Sequence, residues 1–570
     1  MFRVITVFLF FLLAGILYGQ EKYPQNYFQK PMDVPLLLAG NFAELRSNHF
    51  HSGIDIRTNG KIGVPVKASA DGRVARINVS PFGFGHVLYV EHPNGFTTVY
   101  AHLNRFNSAI AQWVKEHQYK KEAFTVELFP KKDEFVVKKG EIIGYSGNSG
   151  SSGGPHLHFE IRNTSNQHPL NPLLFGFKVL DDMRPRVYSA SIFSADDDRN
   201  NFFPTRKYSC VFYSGKFHLR KNPVVTVNGD FGVTIHANDF LNKSWAKCGV
   251  YRMQVLLDGS VKYSFKLNEF SFAESRYINS HIDYSMYHHK RVKAHRCVID
   301  DGNVLSIYNR EDGNGILRLH DNKIHRVTVN LWDVSGNKSV LSFKVKNGAK
   351  VKPLEVPEHV VQKVEWEKPI HFKSDAIQCD IPAKALYKNR PFTYWQETDS
   401  TELSDVHHIL KDDIPTHKYY DLKMNPQYAD SVDNDKLLLA KKDLKTGRLW
   451  AMGGNYKDGW VEAKVRSFGS FVVACDTIAP KIRSLSIKNH KTLMHRNSIS
   501  FVIKDEFSGI KKYRGEIDGK WVLFEYDAKK STIRYKFDKK RFTFKRRHQL
   551  KLEVEDIKGN IASYEASFYK

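Results

Sequence analysis

Two histidines separated by one residue lie in the run Gly-Pro-His-Leu-His-Phe-Glu at residues 154–160. The apolar residues beside them, and the Gly/Ser-rich loop before them, predict a β-strand. Side chains alternate between the two faces of a strand, so His156 and His158 are predicted to point the same way. Two imidazoles on one face suit a metal ligand and its catalytic neighbour, although histidines on exposed strands are common without any site.

A second polar motif lies about a hundred residues upstream, where His51 and Asp55 have His-x-x-x-Asp spacing. Imidazole and carboxylate groups are donors that suit Zn²⁺. With His158 they would supply three protein ligands and leave the fourth position open, as in a catalytic zinc site. His102, at the end of a predicted strand, and His156 are then the unligated candidates for moving a proton and stabilising an oxyanion.

Two other hydrolytic designs are excluded by the residues that are missing. No His-Glu-x-x-His motif occurs, so the helix-based zinc protease with its glutamate base is absent. No cysteine precedes Cys210, which excludes a cysteine nucleophile or a cysteine-rich zinc site in the N-terminal part. The five cysteines have no Cys-x-x-Cys spacing, and in an exported protein some are expected to pair while at least one stays free.

Three motifs together resemble the lysostaphin/LytM-type zinc endopeptidases: His-x-Gly-x-Asp at 51–55, Tyr-Ala-His-Leu at 100–103 and the run at 154–160. Glycine-containing runs at 65–74 and 140–147 are also similar to that family. The resemblance covers about residues 35–177. It implies an antiparallel β groove-type peptidase domain with a duplicated hybrid motif, one Zn²⁺, and hydrolysis of peptide bonds in peptidoglycan stem peptides or cross-links.

Residue by residue, the resemblance implies that His51, Asp55 and His158 are the metal ligands and that His102 and His156 are the catalytic histidines. Which of the two is the base stays open. The connection from residue 103 to residue 140 is long for the family and could wall or lid the groove. Substrate choice is therefore not carried over from the family.

The elements that must position these motifs are short strands punctuated by glycine, and the whole chain is predicted to be mainly β. A helix is predicted over residues 105–122, with Ile110, Trp113 and Val114 at helical spacing. Predicted strands of this first domain, residues 21–180, lie at 64–68, 72–77, 86–91, 97–100, 124–129, 135–137 and 141–144.

Two later stretches repeat each other at equal offsets. Asp181 to Pro185 is matched by Asp476 to Pro480, and the Asp-x-x-Gly-Asn turn that begins at Asp333 is matched at Asp556. These features predict two immunoglobulin-like β-sandwich modules at 181–346 and 477–570, with an insertion in the first. Residues 347–476 are predicted to be a further β domain with a Pro-rich lead-in. Asp333 and Asp556 could bind calcium, but a structural turn is the simpler interpretation.

Several other histidines are interpreted as non-catalytic. His49 is given a structural or substrate-side role rather than a ligand role. His288, His289 and His295, and the pair at 407–408, are predicted to lie in solvated loops, because no carboxylate stands at ligand spacing in a recognisable motif.

Residues 1–20 have the pattern of a secretory signal peptide: Arg3, a short apolar core, and small Gly19 before polar residues. An uncleaved anchor is the alternative, and no later stretch approaches the length of a transmembrane helix. Lys and Arg exceed Asp and Glu by 86 − 61 = 25. Because no basic block or nucleic-acid motif accompanies this charge, nucleic acid is a poor candidate partner.

The sequence therefore predicts an exported zinc metalloendopeptidase that acts on peptidoglycan peptides. The periplasm or cell envelope is its expected location, with the extracellular space as the alternative. The β-sandwich domains are expected to position the enzyme or to bind envelope proteins. Two alternatives stay open: a catalytically silent LytM-like module that regulates another wall hydrolase, and an exported protease that acts on proteins.

Overall fold

The structure is a computed structural model that describes residues 22–195, 202–227, 230–348, 358–429 and 431–570. The predicted signal peptide at 1–20 and part of the Pro-rich lead-in lie outside the described residues. Among the described residues, no helix combines the length and apolar character that crossing a membrane requires. The chain is mainly β, as predicted.

The N-terminal domain is an antiparallel β fold with one long helix. A nine-stranded sheet has the order β1-β2-β11-β6-β5-β4-β8, with β12 on β11 and β9 on β4, and a second sheet has the order β3-β10-β7. Its elements are β1 Leu38–Gly40, β2 Ile54–Arg57, β3 Pro65–Lys67, β4 Gly72–Val79, β5 His86–Glu91, β6 Phe96–Ala101, β7 Arg105–Phe106, α1 Ser108–Lys121, β8 Val126–Leu128, β9 Val136–Val137, β10 Ile142–Tyr145, β11 His156–Asn163 and β12 Pro169–Leu170.

The strands form where short apolar runs meet turn residues. The Pro-Asn-Gly sequence at 93–95 joins β5 to β6 as predicted, and Gly95 has a φ of 79°, which glycine adopts without strain. β6 and β11 are buried along almost their whole length and pack Tyr100 against Phe159, with ring centroids 5.4 Å apart. These central strands hold the histidine motifs on a rigid base.

Helix α1 confirms the predicted helical pattern. Asn107 caps its first turn by accepting a hydrogen bond from the backbone N–H of Ile110 at 3.0 Å. Ile110 and Val114, four residues apart, are buried on one face. The helix ends at Glu122, which has left-handed backbone dihedrals.

Eleven strands of the second domain form one sheet, and the domain also contains two short helices. Its elements are β13 Arg186–Ala195, β14 Phe202–Tyr213, β15 Lys216–Leu219, β16 Val224–Val227, β17 Asp230–Asn238, β18 Arg252–Leu257, β19 Ser260–Lys266, α2 Ile278–His281, α3 Tyr284–Lys290, β20 His295–Arg296, β21 Leu317–Arg318, β22 Ile324–Trp332 and β23 Lys338–Asn347. Both helices lie in the segment between β19 and β22.

The third domain consists of a six-stranded and a five-stranded sheet. Its strands are β24 Val360–Val364, β25 Ile370–Lys373, β26 Ile377–Ile381, β27 Arg390–Glu397, β28 Val406–Ile409, β29 Tyr420–Met424, β30 Leu437–Lys442, β31 Leu449–Gly453, β32 Asn455–Lys457, β33 Trp460–Val465 and β34 Gly469–Cys475. Side chains from the two sheets share one core that includes Phe392, Tyr420 and Phe471.

The fourth domain repeats part of the second domain in a shorter form. Its strands are β35 Lys481–Ser484, β36 Lys491–Thr492, β37 Ser498–Lys504, β38 Ile510–Ile517, β39 Lys520–Trp521, β40 Phe524–Asp527, β41 Thr532–Lys536, β42 Arg547–Asp556 and β43 Ile561–Tyr569. The neighbouring strands β39-β38-β42-β43 correspond to β19-β18-β22-β23 in the second domain. The sequence repeat is therefore also a repeat of strand order.

The last domain packs back onto the first. Tyr119 on α1 meets Trp521 edge-on, with ring centroids 5.1 Å apart, and Lys115 pairs with Asp538 at 2.6 Å. Leu523 joins the apolar core of the N-terminal domain. All five cysteines are free, so the expectation that some pair is wrong for this structure.

Candidate metal centre

The register of two strands places the predicted ligands together. Asp55 on β2 lies directly opposite His158 on β11, so their side chains leave the sheet on the same face. His51 precedes β2 in a turn that is held by two backbone hydrogen bonds between residues 43–44 and residue 51. All three side chains are buried, with relative exposures of 6% or less.

One donor atom from each of the three side chains converges on a common point. Asp55 Oδ1 lies 3.0 Å from His51 Nε2 and 2.9 Å from His158 Nδ1, and the two nitrogens are 3.0 Å apart. Donors that are about 2 Å from a tetrahedral zinc lie roughly 3.3 Å from one another. The spacing and the donor types therefore fit a zinc ion.

The opposite nitrogen of each ligand histidine is already engaged. His51 donates from Nδ1 to the backbone carbonyl of Asn41 at 2.7 Å, and His158 Nε2 lies 2.9 Å from the carboxylate of Glu160. A carbonyl or a carboxylate can only accept, so in each neutral imidazole the hydrogen is on that nitrogen. The remaining nitrogens present lone pairs to each other, an arrangement that a cation between them stabilises.

Buried carboxylates give this centre a strong preference for positive charge. Burial by itself would raise the pKa of Asp55, but His51 and hydrogen bonds from the three surrounding histidines hold it well below its usual range. Burial opposes protonation of His158, yet hydrogen bonds to Asp55 and Glu160 raise its pKa to about 9. Groups that favour a proton at this point also favour a metal cation.

His102 and His156 lie next to the ligand cluster. Their ring centroids are 4.9 Å apart, and Nε2 of His156 is 3.3 Å from Asp55 Oδ1. Each donates from Nδ1 to a backbone carbonyl, His102 to Ser149 at 2.9 Å and His156 to Gly154 at 2.8 Å. His102 therefore has its Nε2 available for proton transfer, whereas Nε2 of His156 faces the Asp55 carboxylate.

His102 is held in an unusual backbone conformation, with a φ of 59°. For a residue other than glycine this left-handed region carries strain, which recurs at functional sites. Burial, followed by the neighbouring His158 and His156, lowers the pKa of His102 to about 3. The imidazole is therefore neutral and able to accept a proton.

The cluster lies in a cavity of about 800 Å³ whose wall comes from three domains. The second domain contributes Phe272, Arg276 and Lys293, and the third contributes Arg466. No residue between 104 and 140 lines this cavity. The expectation that the connection from residue 103 to residue 140 could form a wall of the groove is therefore wrong. Its helix, α1, packs against the fourth domain instead.

The remaining histidines separate into different environments. His49 is an exposed residue that lines the cavity, where its Nδ1 lies 2.8 Å from the carbonyl of Ser47. His288 and His289 lie on α3 and contact Asp412 and Asp413 of the third domain at 3.0 and 3.3 Å. They contact a neighbouring domain instead of occupying a solvated loop, because the insertion folds onto the third domain.

The prediction of solvated loops is also wrong for three buried histidines. His295 is 1% exposed and its Nδ1 lies 2.9 Å from Nε2 of His281. His407 and His408 lie on β28 with exposures of 0% and 1%. Both histidines belong to this strand and lie between apolar residues. The polar residues next to the strand in the sequence made the apolar pattern hard to recognise.

Three groups that support the ligands were missed by sequence reasoning. Asn41 carries no motif, and its carbonyl reaches His51 only through the fold. Glu160 stands two residues after His158 on the same strand, so alternation along β11 could have placed it beside that imidazole. Arg46 was missed as well: its guanidinium contacts the outer oxygen of Asp55, Oδ2, at 3.0 Å.

Comparison with known proteins agrees with this geometry. Residues 49–119 and 127–172 match the sequence model of Peptidase family M23. The N-terminal domain is an M23 peptidase domain. This confirms the resemblance to lysostaphin/LytM-type enzymes. In the third domain, residues 361–476 match the model of the Zu5-like domain.

The similarity to individual relatives covers less than half of this chain and less than half of each relative. The DD-carboxypeptidase/endopeptidase Mpg of Neisseria meningitidis serogroup B is 36% identical over 129 residues, which are 23% of this chain and 23% of the relative. The glycyl-glycine endopeptidase ALE-1 of Staphylococcus capitis is 27% identical over 186 residues, 32% of this chain and 42% of the relative. The chain thus spans less than half the length of these relatives.

Among solved structures, the catalytic domain of the prophage-encoded M23 protein EnpA from Enterococcus faecalis is 26% identical. The match covers 26% of this chain and 94% of that domain, with a TM-score of 0.19.

Proposed function

We propose that this protein is an exported zinc metalloendopeptidase that hydrolyses peptide bonds in peptidoglycan stem peptides or cross-links. The observation that carries the proposal is the convergence of His51, Asp55 and His158 at 2.9–3.0 Å beside the imidazoles of His102 and His156. This arrangement supports a peptidase activity. The wall substrate is supported by the names of the M23 relatives.

His51, Asp55 and His158 would hold one Zn²⁺. When bound there, Zn²⁺ lowers the pKa of a water molecule and polarises the scissile carbonyl. Asn41 and Glu160 fix the orientation of the two ligand imidazoles, and Arg46 fixes the carboxylate of Asp55.

His102 and His156 would carry the proton chemistry. Their Nδ1–H groups are anchored to carbonyls, so each ring can accept a proton at Nε2 or, once protonated, donate a hydrogen bond to the developing oxyanion. The two rings meet edge to face and border the ligand cluster from the same side. A scissile peptide bond next to Asp55 would therefore contact both.

The cavity wall favours a substrate that carries carboxylates. Arg276 and Arg466 come from different domains and are both half-buried, and among the described residues neither pairs with an acidic side chain. Burial, followed by the charge of Arg466, lowers the pKa of Arg276. Each guanidinium is held by a backbone carbonyl, of Thr416 or of His417. Such a preorganised cationic pair suits a carboxylate-bearing peptide.

The cellular setting is part of the same proposal. The signal-like sequence at 1–20 supports export to the periplasm or envelope, and the domains at 181–346, 347–476 and 477–570 would position the peptidase domain, 21–180, or bind envelope proteins. Since Arg276 and Arg466 line the cavity, these domains would also take part in substrate binding.

The decisive assay uses the full chain with its zinc content measured. Stoichiometric zinc and cleavage of purified wall peptides, with no cleavage of casein or elastin, is the expected result. Wall peptides with amidated carboxylates should be cleaved less efficiently through a higher KM. Zinc without cleavage of any peptide would instead indicate a silent regulatory module, and cleavage of casein would indicate a general protease.

A further inference from the structure

A second cluster of possible ligands lies where the M23 domain joins the second domain. Asp181 belongs to the linker, Asp239 follows β17 and Asp333 follows β22. One carboxylate oxygen from each lies within 4.8 Å of the others. The cluster therefore connects the linker to the ends of two strands of the second domain.

Asp333 accepts hydrogen bonds from the backbone and the side chain of Asn337 at 2.8 Å, and Asp181 accepts from Met183 and Ser335 at 3.2 and 3.3 Å. Asp239 differs, because one of its oxygens is unsatisfied within the described residues. Asp239 is 2% exposed and Asp333 is also 2% exposed, and among the described residues no lysine or arginine pairs with any of the three. Oδ1 of Asp239 receives no hydrogen bond from the described part of the chain. A buried carboxylate oxygen that has no hydrogen-bond donor and faces two other carboxylates is stabilised by a bound cation.

The fourth domain has the same three carboxylates at equivalent positions: Asp476, Asp505 and Asp556. The difference between the two clusters lies at Asp505, the counterpart of Asp239. Asp505 Oδ2 accepts the backbone N–H groups of Phe507 at 3.0 Å and Gly509 at 2.7 Å. Asp476 accepts two further backbone N–H groups, at 3.3 and 3.0 Å.

The turn residues also differ between the copies. Two residues after Asp556 stands Lys558, which is 6% exposed and donates a hydrogen bond from Nζ to the carbonyl of Gly454 at 3.1 Å. Two residues after Asp333 stands Ser335, which donates a hydrogen bond to Asp181 at 3.3 Å. The fourth domain thus has a buried lysine at this turn position, where the second domain has an uncharged residue.

We propose that Asp181, Asp239 and Asp333 bind one Ca²⁺ and that the equivalent cluster in the fourth domain does not. Ca²⁺ takes roughly six to eight oxygen ligands at about 2.4 Å in flexible geometry, so its ligand oxygens lie roughly 3 to 5 Å apart. Mg²⁺ usually keeps several waters and one or two carboxylates, which fits three converging carboxylates less well.

The site would hold the loop that supports the peptidase centre. The backbones of Asp239 and Cys248 exchange two hydrogen bonds at 2.9 Å. The adjacent Gly249 exchanges two more with the Asn41 side chain, at 2.9 and 2.7 Å. Asn41 in turn accepts from His51. Ca²⁺ would fix Asp239 at one end of this series of hydrogen bonds. His51, a predicted zinc ligand, lies at the other end.

The test measures Ca²⁺ binding to the zinc-loaded full chain by calorimetry and by thermal unfolding. One Ca²⁺ per chain and a higher Tm are expected, with a smaller response to Mg²⁺. Asp239→Asn should weaken Ca²⁺ binding by more than roughly 100-fold. Asp505→Asn, its counterpart, and Asp301→Asn, at an exposed residue of the second domain, should keep the wild-type Ca²⁺ response.

A second variant keeps the test decisive if Asp239→Asn does not fold. Ser335→Lys introduces the lysine of the fourth domain beside the proposed site and should abolish the Ca²⁺ response while zinc is retained. Absence of any Ca²⁺ response in the wild type, an equal response to Mg²⁺, or unchanged binding in Ser335→Lys would overturn the proposal.

Discussion

Two ligand clusters of this chain have three members each but differ in donor type and in neighbours. His51, Asp55 and His158 offer two nitrogens and one oxygen, and two further imidazoles lie beside them. Asp181, Asp239 and Asp333 offer only oxygens, at a junction between domains. Mixed nitrogen and oxygen donors suit zinc and reaction chemistry, whereas three carboxylates suit a hard structural cation.

The difference teaches that neighbouring groups distinguish a reactive centre from a structural one. In the M23 domain, Asn41 and Glu160 contact the rings of the predicted ligands, which line a cavity of about 800 Å³. In the second domain, the carboxylates connect a linker and two strand ends. The following predictions separate the two clusters, beginning with the largest expected effect.

His158→Ala should remove zinc and lower peptide cleavage by at least about a thousandfold, because the metal supplies several kcal/mol of transition-state stabilisation. The same variant should keep its Ca²⁺-dependent rise in Tm. Metal analysis and unfolding curves of the purified chain check both statements. Loss of the Ca²⁺ response together with zinc would show that the clusters are not independent.

His102→Ala should keep zinc but lower kcat by roughly a hundredfold to ten-thousandfold, the range for a positioned acid–base group. His320→Ala, at an exposed histidine of the second domain, is the matched control and should cleave like the wild type. Undiminished kcat in His102→Ala would falsify the catalytic role assigned to this imidazole.

Glu160→Gln should lower zinc affinity by roughly 10- to 100-fold, as expected for the loss of a carboxylate that orients a ligand histidine. The change keeps the side-chain shape but weakens the contact with His158 Nε2. Competition with a chelator measures the affinity, and Ca²⁺ binding is the internal control. Unchanged zinc affinity would mean that the strand alone orients His158.

The candidate site was largely predictable because its residues follow local rules. Alternation along one strand placed His156 and His158 on one face, and the structure has that strand at His156–Asn163. The predicted strands and helix of the N-terminal domain are confirmed in type, with bounds that differ by a few residues. Short apolar runs between glycines predict strands from the local sequence alone.

The buried histidines at 295, 407 and 408 show where local reasoning failed. Their burial depends on which strands and helices cover them, and a polar residue type alone suggests a surface. The residues that line the cavity were not predicted for the same reason, because Arg276 and Arg466 reach the site only through domain packing.

The sequence by itself determined the strands, the repeat and the five histidine and aspartate residues proposed to do the chemistry, since periodicity and motif spacing are properties of neighbouring residues. Only the tertiary structure decided that Asn41 and Glu160 hold the ligand rings and that Asp239 meets Asp181 and Asp333. The physical reason is that burial, charge compensation and contacts between distant residues depend on the packing of strands and domains, which no local pattern encodes.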